Sequence, residues 1–154
     1  MLPILDAGVE ILILGSFPSP SSLAAGQYYA HRQNQFWRIM AAITGEPLSE
    51  LDYAQRCQRI LAHRFGIWDI YRSCLRAGAL DASIREAKPN DFSFLKTDVR
   101  GLRRICFNGK TAGSFEHIVQ SMGYSNVVLP STSPAYTLLF EQKLERWCAG
   151  MTGG

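Results

Sequence analysis

The sequence predicts an α/β fold, a three-layer αβα sandwich around a central, mostly parallel four-stranded sheet. Three observations carry that expectation. Four short apolar runs of strand length recur along the chain, bounded by glycine, proline or polar turn residues. Stretches with apolar residues at helical spacing separate them, and strands alternating with helices imply parallel pairing with helices on both faces. Three unusual polar segments, Gly15 to Asn34, Asn108-Gly109-Lys110 and Ser131 to Tyr136, each follow a strand. In doubly wound folds that is the end where ligands bind.

Taken in order, Glu10 to Ser16 (EILILGS) reads as a buried central strand. A polar loop rich in glycine, serine and proline follows, Phe17 to Gln33. From Asn34 the spacing of Phe36, Met40 and Ile43 predicts a helix that ends near Gly45-Glu46-Pro47. A second helix is expected from roughly Leu51 to His63, and Phe65 to Tyr71 (FGIWDIY) reads as the second strand. Cys74 to Asp98 reads as a loop with short helical pieces around Ile84 and Phe92. Leu102 to Phe107 (LRRICF) is the third strand, closed by Asn108-Gly109. A helix from Lys110 to Met122 places Ala112, Phe115, Val119 and Met122 on one face. Asn126 to Leu129 is the fourth strand, followed by Pro130 and the loop Ser131-Thr132-Ser133-Pro134. The last helix carries Phe140, Leu144, Trp147 and Cys148 on one stripe. No linker or repeat divides the chain, so residues 1–150 read as one domain with a short tail at 151–154.

Bulk properties narrow the class. A chain of 154 residues with 47% hydrophobic and 19% charged residues can bury a real core and is not disordered by composition. The net charge of +3 permits weak attraction to a polyphosphate but does not by itself identify a partner. No apolar run approaches the roughly 20 residues of a membrane span, and no basic region precedes an apolar stretch at the start, so a soluble, cytoplasmic protein is expected. Cys57, Cys74, Cys106 and Cys148 form no C-x-x-C pair, and His31, His63 and His117 are scattered. Neither disulfide nor metal chemistry is indicated, and no cofactor is expected.

The densest constellation is Gly26 to Trp37 (GQYYAHRQNQFW), which packs four aromatics, a histidine and several amide or cationic groups into one stretch. Phe36 and Trp37 read as core residues of the following helix. Tyr28 and Tyr29 precede it in a loop and read equally as packing residues or as faces for stacking a planar base. Asn34 reads as a helix N-cap or as a polar site group. His31 reads as a loop histidine or as a donor titrating near neutrality. Asn108 reads as a turn residue before Gly109 or as a base contact.

These segments do not stand alone. Gly15-Ser16-Phe17-Pro18-Ser19, then Gly26 through Trp37, then Ser131-Thr132-Ser133-Pro134-Ala135 resemble the uracil-DNA glycosylase superfamily, specifically its hypoxanthine-DNA glycosylase branch. The resemblance covers nearly the whole chain; the long middle motif is specific and Ser-Thr-Ser-Pro alone is weak. It implies an enzyme that flips a damaged base from DNA and hydrolyses its glycosidic bond. It places the catalytic role on Asn34, because Phe17 stands where mismatch-uracil relatives carry their water-positioning asparagine. It matches Tyr29 to the position that stacks on the flipped base, and the loop at Ser131 to the segment that presses into the duplex. Two departures stand out: Arg32 replaces the proline usual after the motif histidine, and Tyr136 stands where a small or polar residue is expected.

With those roles, Gly15, Ser16, Phe17, Tyr29, His31 and Asn108 form the expected base pocket. Arg32, Lys110, Ser131, Thr132, Ser133, Pro134 and Tyr136 are the expected DNA contacts, with Ser131 and Ser133 placed at a helix N-terminus. No lysine in these motifs suits a Schiff base, so the expected enzyme is monofunctional: it releases hypoxanthine from deoxyinosine and leaves the strand uncut. The expected partner is double-stranded DNA carrying a deaminated base, with single strands left open, bound by a monomer. Two other readings stay open at this point. One keeps the class but takes uracil, thymine or ethenocytosine opposite guanine; the other is a non-catalytic nucleotide-binding module.

Overall fold

The architecture was obtained as a computed structural model, which describes residues 1–72 and 88–152. Four strands form one sheet: β1 (Ile11–Gly15), β2 (Phe65–Asp69), β3 (Arg104–Asn108) and β4 (Ser125–Leu129). Their order is β2-β1-β3-β4, and every adjacent pair is parallel. The expected four-stranded parallel sheet is therefore present, with each predicted strand in its predicted place.

Burial explains the order. The β1 run ILILG is buried at every position, and Leu12, Ile13 and Leu14 have no exposure. A strand apolar on both sides must lie inside the sheet with both faces covered. β4 (SNVVL) is half-exposed and forms an edge. The chain moves outward from β1 to β2 in one direction and from β3 to β4 in the other. With right-handed crossovers, these two connections cover opposite faces, giving three layers.

The helices are α1 (Pro20–Ala25), α2 (Phe36–Thr44), α3 (Tyr53–Ala62), α4 (Leu95–Asp98), α5 (Lys110–Gly113), α6 (Glu116–Ser121) and α7 (Phe140–Thr152), with a 3₁₀ turn at Leu48–Glu50. α2 opens with Phe36 and Trp37 buried, as expected of large aromatics at a helix start. α3 starts on a reciprocal cap, Asp52 accepting the Gln55 N–H while the Gln55 side chain accepts the Asp52 N–H. α7 packs on both β4 and α2. Its Trp147 is fully buried and donates its indole N–H to the Pro130 carbonyl at 2.8 Å, tying the helix to the end of β4.

Four details depart from the sequence expectations. The loop from Phe17 to Gln33 contains α1, started by Ser19, which accepts the Ser22 N–H, with Pro20 at the first helical position. The single helix expected over Lys110 to Met122 is two, α5 and α6, although Ala112 and Val119 are buried as predicted. Gly113 sits where they part: a Cβ there would lie 2.7 Å from Val128, so this helix end presses backbone against β4. The last helix runs through buried Met151 to Thr152, past the boundary drawn at residue 150. The helical piece expected near Phe92 is found at α4, just beyond it, while Cys74 and the piece around Ile84 lie outside the described residues. Among the described residues, no helix is long and apolar enough to cross a membrane.

Candidate active site

The carboxyl ends of β1, β2 and β3 meet at the point where strand order reverses, and a cavity of about 400 Å³ opens there. That volume lies in the range of small-ligand sites, and the position is the one that doubly wound sheets use. The segments singled out from sequence converge on it. Gly15, Ser16 and Phe17 line it from the end of β1, Tyr29, His31 and Asn34 from the following loop, Asn108 from β3, and Ser131 to Ala135 from the β4–α7 loop.

The two tyrosines separate cleanly. Tyr28 is 3% exposed, its hydroxyl donates to the Leu2 carbonyl at 3.0 Å, and its carbonyl accepts the Trp37 indole N–H at 3.1 Å. It is a packing residue at the cavity edge. Tyr29 takes a left-handed backbone (φ 57°) that turns its ring onto Phe36, with centroids 4.0 Å apart and planes 17° from parallel. Its hydroxyl is buried and makes no hydrogen bond among the described residues. Burial foremost, and then the nearby Asp69 charge, push its phenol above the usual range. The Asn108 amide lies close enough to oppose that shift, but its own hydrogen bonds go to Thr132.

Asn34 serves the start of α2 from one residue before its N-cap and lines the cavity. Its Oδ1 accepts the Phe36 N–H at 2.9 Å at the start of α2, although the N-cap position itself belongs to Gln35. This bond fixes the amide orientation, and Nδ2, which has no protein partner among the described residues, is what Asn34 offers the cavity. His31 accepts the Gln33 N–H on Nδ1 at 3.1 Å, so a neutral ring carries its proton on Nε2.

The β4–α7 loop is held by a clamp. Asn108 Nδ2 donates to Thr132 Oγ1 and Asn108 Oδ1 accepts the Thr132 N–H, both at 3.0 Å, while the Thr132 carbonyl accepts the Gln35 N–H at 3.0 Å. Thr132 is 1% exposed. Its side chain, expected to meet DNA, joins the end of β3 to the loop and lines the cavity. The placement of Ser131 and Ser133 at a helix N-terminus is corrected, since α7 begins at Phe140. Their hydroxyls accept loop amides, Ser131 from Ser133 and Ser133 from Ala135, shaping a tight turn beside the cavity. Buried Lys143 supports it from α7, donating Nζ to the Ser133 carbonyl at 3.2 Å.

Arg32 is exposed and borders a shallow depression with His31 at the rim. Lys110 and Tyr136 line a second groove, which shares Ser131, Ser133 and Ala135 with the cavity. Arg146 joins them there, a cation that sequence reading passed over because α7 placed it on the polar side of an ordinary amphipathic helix. Pro134 is exposed at the turn between groove and cavity.

One ionisable cavity residue was missed altogether. Asp69 ends β2, is 6% exposed, and lines the cavity with no side-chain hydrogen bond among the described residues. Burial pushes its carboxyl up to about 7, and the positive N-terminus of Met1 opposes that only in part. Asn90 fixes the backbone there, donating Nδ2 to the Asp69 carbonyl at 2.8 Å. The signal was a lone carboxylate inside the apolar run FGIWDIY, where an ionisable group is costly unless it is used.

The family model of the uracil DNA glycosylase superfamily matches residues 2–150. The chain belongs to the uracil DNA glycosylase superfamily. Two superfamily relatives, each named hypoxanthine DNA glycosylase, resemble it closely. The protein from Methanosarcina acetivorans is 40% identical over 144 residues, covering 94% of this chain and 91% of the relative. That from Methanosarcina barkeri is 37% identical over 145 residues, covering 94% and 92%. The solution NMR structure of a candidate uracil DNA glycosylase from M. acetivorans superposes with a TM-score of 0.86 at 40% identity, covering 96% of this chain and 92% of that one. Within the superfamily fold, the cavity thus lies at the carboxyl ends of its parallel strands.

Proposed function

We propose that this protein is a monofunctional DNA glycosylase that releases hypoxanthine from deoxyinosine in double-stranded DNA. The observation that carries the reading is the likeness, over nearly the full length of both chains, to two proteins named hypoxanthine DNA glycosylase. The site supports it: an aromatic-walled cavity at the strand ends, with an anchored asparagine beside it.

A base stacked in a duplex is out of reach, so it must be extruded, at least cost when its pairing is already weak. Tyr29, its ring held by Phe36 on one face, turns its hydroxyl to the floor of the cavity that would take the extruded purine. Breaking the C1′–N9 bond leaves positive charge on the sugar and sends the bonding electrons to the base; water then adds at C1′ and loses a proton to solvent, and the departing base anion takes one up. Asn34 has no useful pKa and acts by position, holding the incoming water with an amide preset by the Phe36 N–H. Phe17 lines the cavity without a polar group to share that task. Among the described residues no lysine lines the cavity, in keeping with hydrolysis rather than a Schiff base. Arg32 at the cavity rim and Lys110 and Arg146 in the neighbouring groove are the cations available to phosphates beside the extruded nucleotide. The Ser131 to Tyr136 turn is the segment that would press into the duplex bound by a monomer.

The test is base release from matched duplexes carrying hypoxanthine, uracil, a thymine mismatch or ethenocytosine. Hypoxanthine should be released fastest, and strand scission should need alkali. Faster release of uracil would overturn the substrate assignment, and release of none would overturn the enzyme.

A further inference from the structure

Two polar groups at the floor of the cavity are given no side-chain hydrogen bond by the geometry of the described residues: the buried Tyr29 hydroxyl, with the Asn108 amide nearby, and the Asp69 carboxyl, whose burial only the charge of the Met1 N-terminus opposes. They converge on one point. A methyl group added to Gly15 would lie 2.8 Å from Asp69 Oδ1 and 3.3 Å from the Tyr29 hydroxyl, yet the two do not bond each other. Gly15 is thus the residue that keeps this floor open. Gln35 Oε1 is also buried and unpartnered, but Gln35 does not line the cavity. Buried polar groups are rarely left unsatisfied unless a ligand completes them. Asn90 holds the Asp69 backbone and Phe36 holds the Tyr29 ring, so both groups are preset.

An acceptor beside a donor has a definite complement. Deamination converts the amidine edge of a base, a bare ring nitrogen next to an amino group, into a lactam edge, a ring N–H next to a carbonyl. We propose that Asp69 and Tyr29 read this lactam edge of the extruded base, the Asp69 carboxylate accepting the ring N–H and the Tyr29 hydroxyl donating to the neighbouring carbonyl. The inference rests on the glycosylase reading and adds the recognition step to it. The ionised carboxylate meets the lone pair of an unmodified adenine ring nitrogen with repulsion, which rejects the normal base by an unpaired contact. A protonated Asp69 carries both a donor and an acceptor and accommodates either edge, so discrimination belongs to the ionised form. Because burial lifts that carboxyl to about 7, recognition strengthens as pH rises through neutrality. The groups facing it are the hydroxyls of Tyr28, Tyr29 and Tyr53 and the N-terminus of Met1, with His31 on the loop lining the same cavity.

The experiment uses the full chain and single-turnover base release from duplexes carrying hypoxanthine or 1-methylhypoxanthine, in which a methyl replaces the ring N–H. Wild type should favour hypoxanthine by about 10- to 100-fold, the range for losing a hydrogen bond to a charged acceptor. In Asp69→Leu the preference should collapse, and the cycle cancels any effect of the methyl on duplex pairing. Tyr29→Phe, which keeps the ring, should lose about 2- to 10-fold on hypoxanthine. The acid-side fall in kcat/KM should vanish in Asp69→Asn and persist in His31→Gln. A thermal melt confirms folding of each variant. An undiminished methyl penalty in Asp69→Leu, or an acid limb surviving in Asp69→Asn, overturns the inference while leaving the glycosylase intact. No release of hypoxanthine by wild type overturns the glycosylase reading instead.

Discussion

Aspartate at position 34 separates the two tasks of the asparagine found there. Asn34 Oδ1 accepts the Phe36 N–H at 2.9 Å, and its Nδ2 is left to the cavity. Asn34→Asp keeps the acceptor, adds a negative charge at the start of α2 where the helix dipole favours it, and deletes the donor. Stability should hold or rise by about 0.5 kcal/mol. Asn34→Ala deletes both and should cost about 1 kcal/mol, the usual loss for one helix-start bond, or about 3 °C in Tm for a domain of this size. Both should lose on the order of 10²- to 10³-fold in single-turnover base release, the typical loss for one preorganised polar group. Asn34→Ser retains the helix-start acceptor but cannot span to the same water, and should fail similarly. The assay is single-turnover release from a hypoxanthine duplex with calorimetry run in parallel. Full activity in Asn34→Ser with an unchanged Tm would refute the reasoning, because the residue would then be only a helix-start acceptor.

The same geometry yields further expectations. Gly15→Ala places a Cβ 2.8 Å from Asp69 Oδ1 and should abolish base release, checked by single-turnover assay with circular dichroism as the fold control. Asp69 is raised from 3.8 to about 7, so the fold disfavours its ionised form. That penalty is absent below pH 4, grows between pH 4 and 7, and is full above 7, where it reaches at most roughly 4 kcal/mol. The Tm gain of Asp69→Asn over wild type should accordingly be larger at pH 8 than at pH 5. Trp147→Ala empties a fully buried site and removes the bond to Pro130, and should cost about 3–5 kcal/mol in denaturant unfolding. Arg32→Ala and Lys110→Ala should each lower the slope of log affinity against log salt by about 1 in titrations with duplex DNA.

Local signals carried the frame of the molecule. The run ILILG, bounded by glycine and proline, reads as a strand covered on both faces, and the stripe Phe140, Leu144, Trp147 and Cys148 reads as a helix packed on the sheet, so the layered parallel fold followed from local pattern. The segments that line the cavity were legible for a related reason. Chains that leave buried strands must turn back over the sheet edge, and their turn residues are visible in sequence before any contact is known. α1 was missed because a six-residue helix has too few positions to show a period, although Ser19-Pro20 marked its start. The split of α5 from α6 was invisible because it answers to Val128, more than ten residues away.

What the sequence determined by itself is whatever depends on neighbours along the chain: the strands, the longer helices, the loops at the strand ends, and the family motifs they carry. Only the tertiary structure decided which groups those loops spend on one another and which they leave open. Asn108 read as a turn residue or a base contact, and its side chain lines the cavity while bonding Thr132 across 24 positions. Tyr28 and Tyr29 are adjacent and chemically identical, yet one is anchored in the core and the other presents an unpaired hydroxyl to the cavity. Asp69 passed unremarked inside the strand FGIWDIY and sits beside Gly15, because parallel pairing sets those two residues in register. The physical reason is common to all three. A polar side chain is defined by its partners, and at this site the partners come from different strands that only the closed sheet brings together.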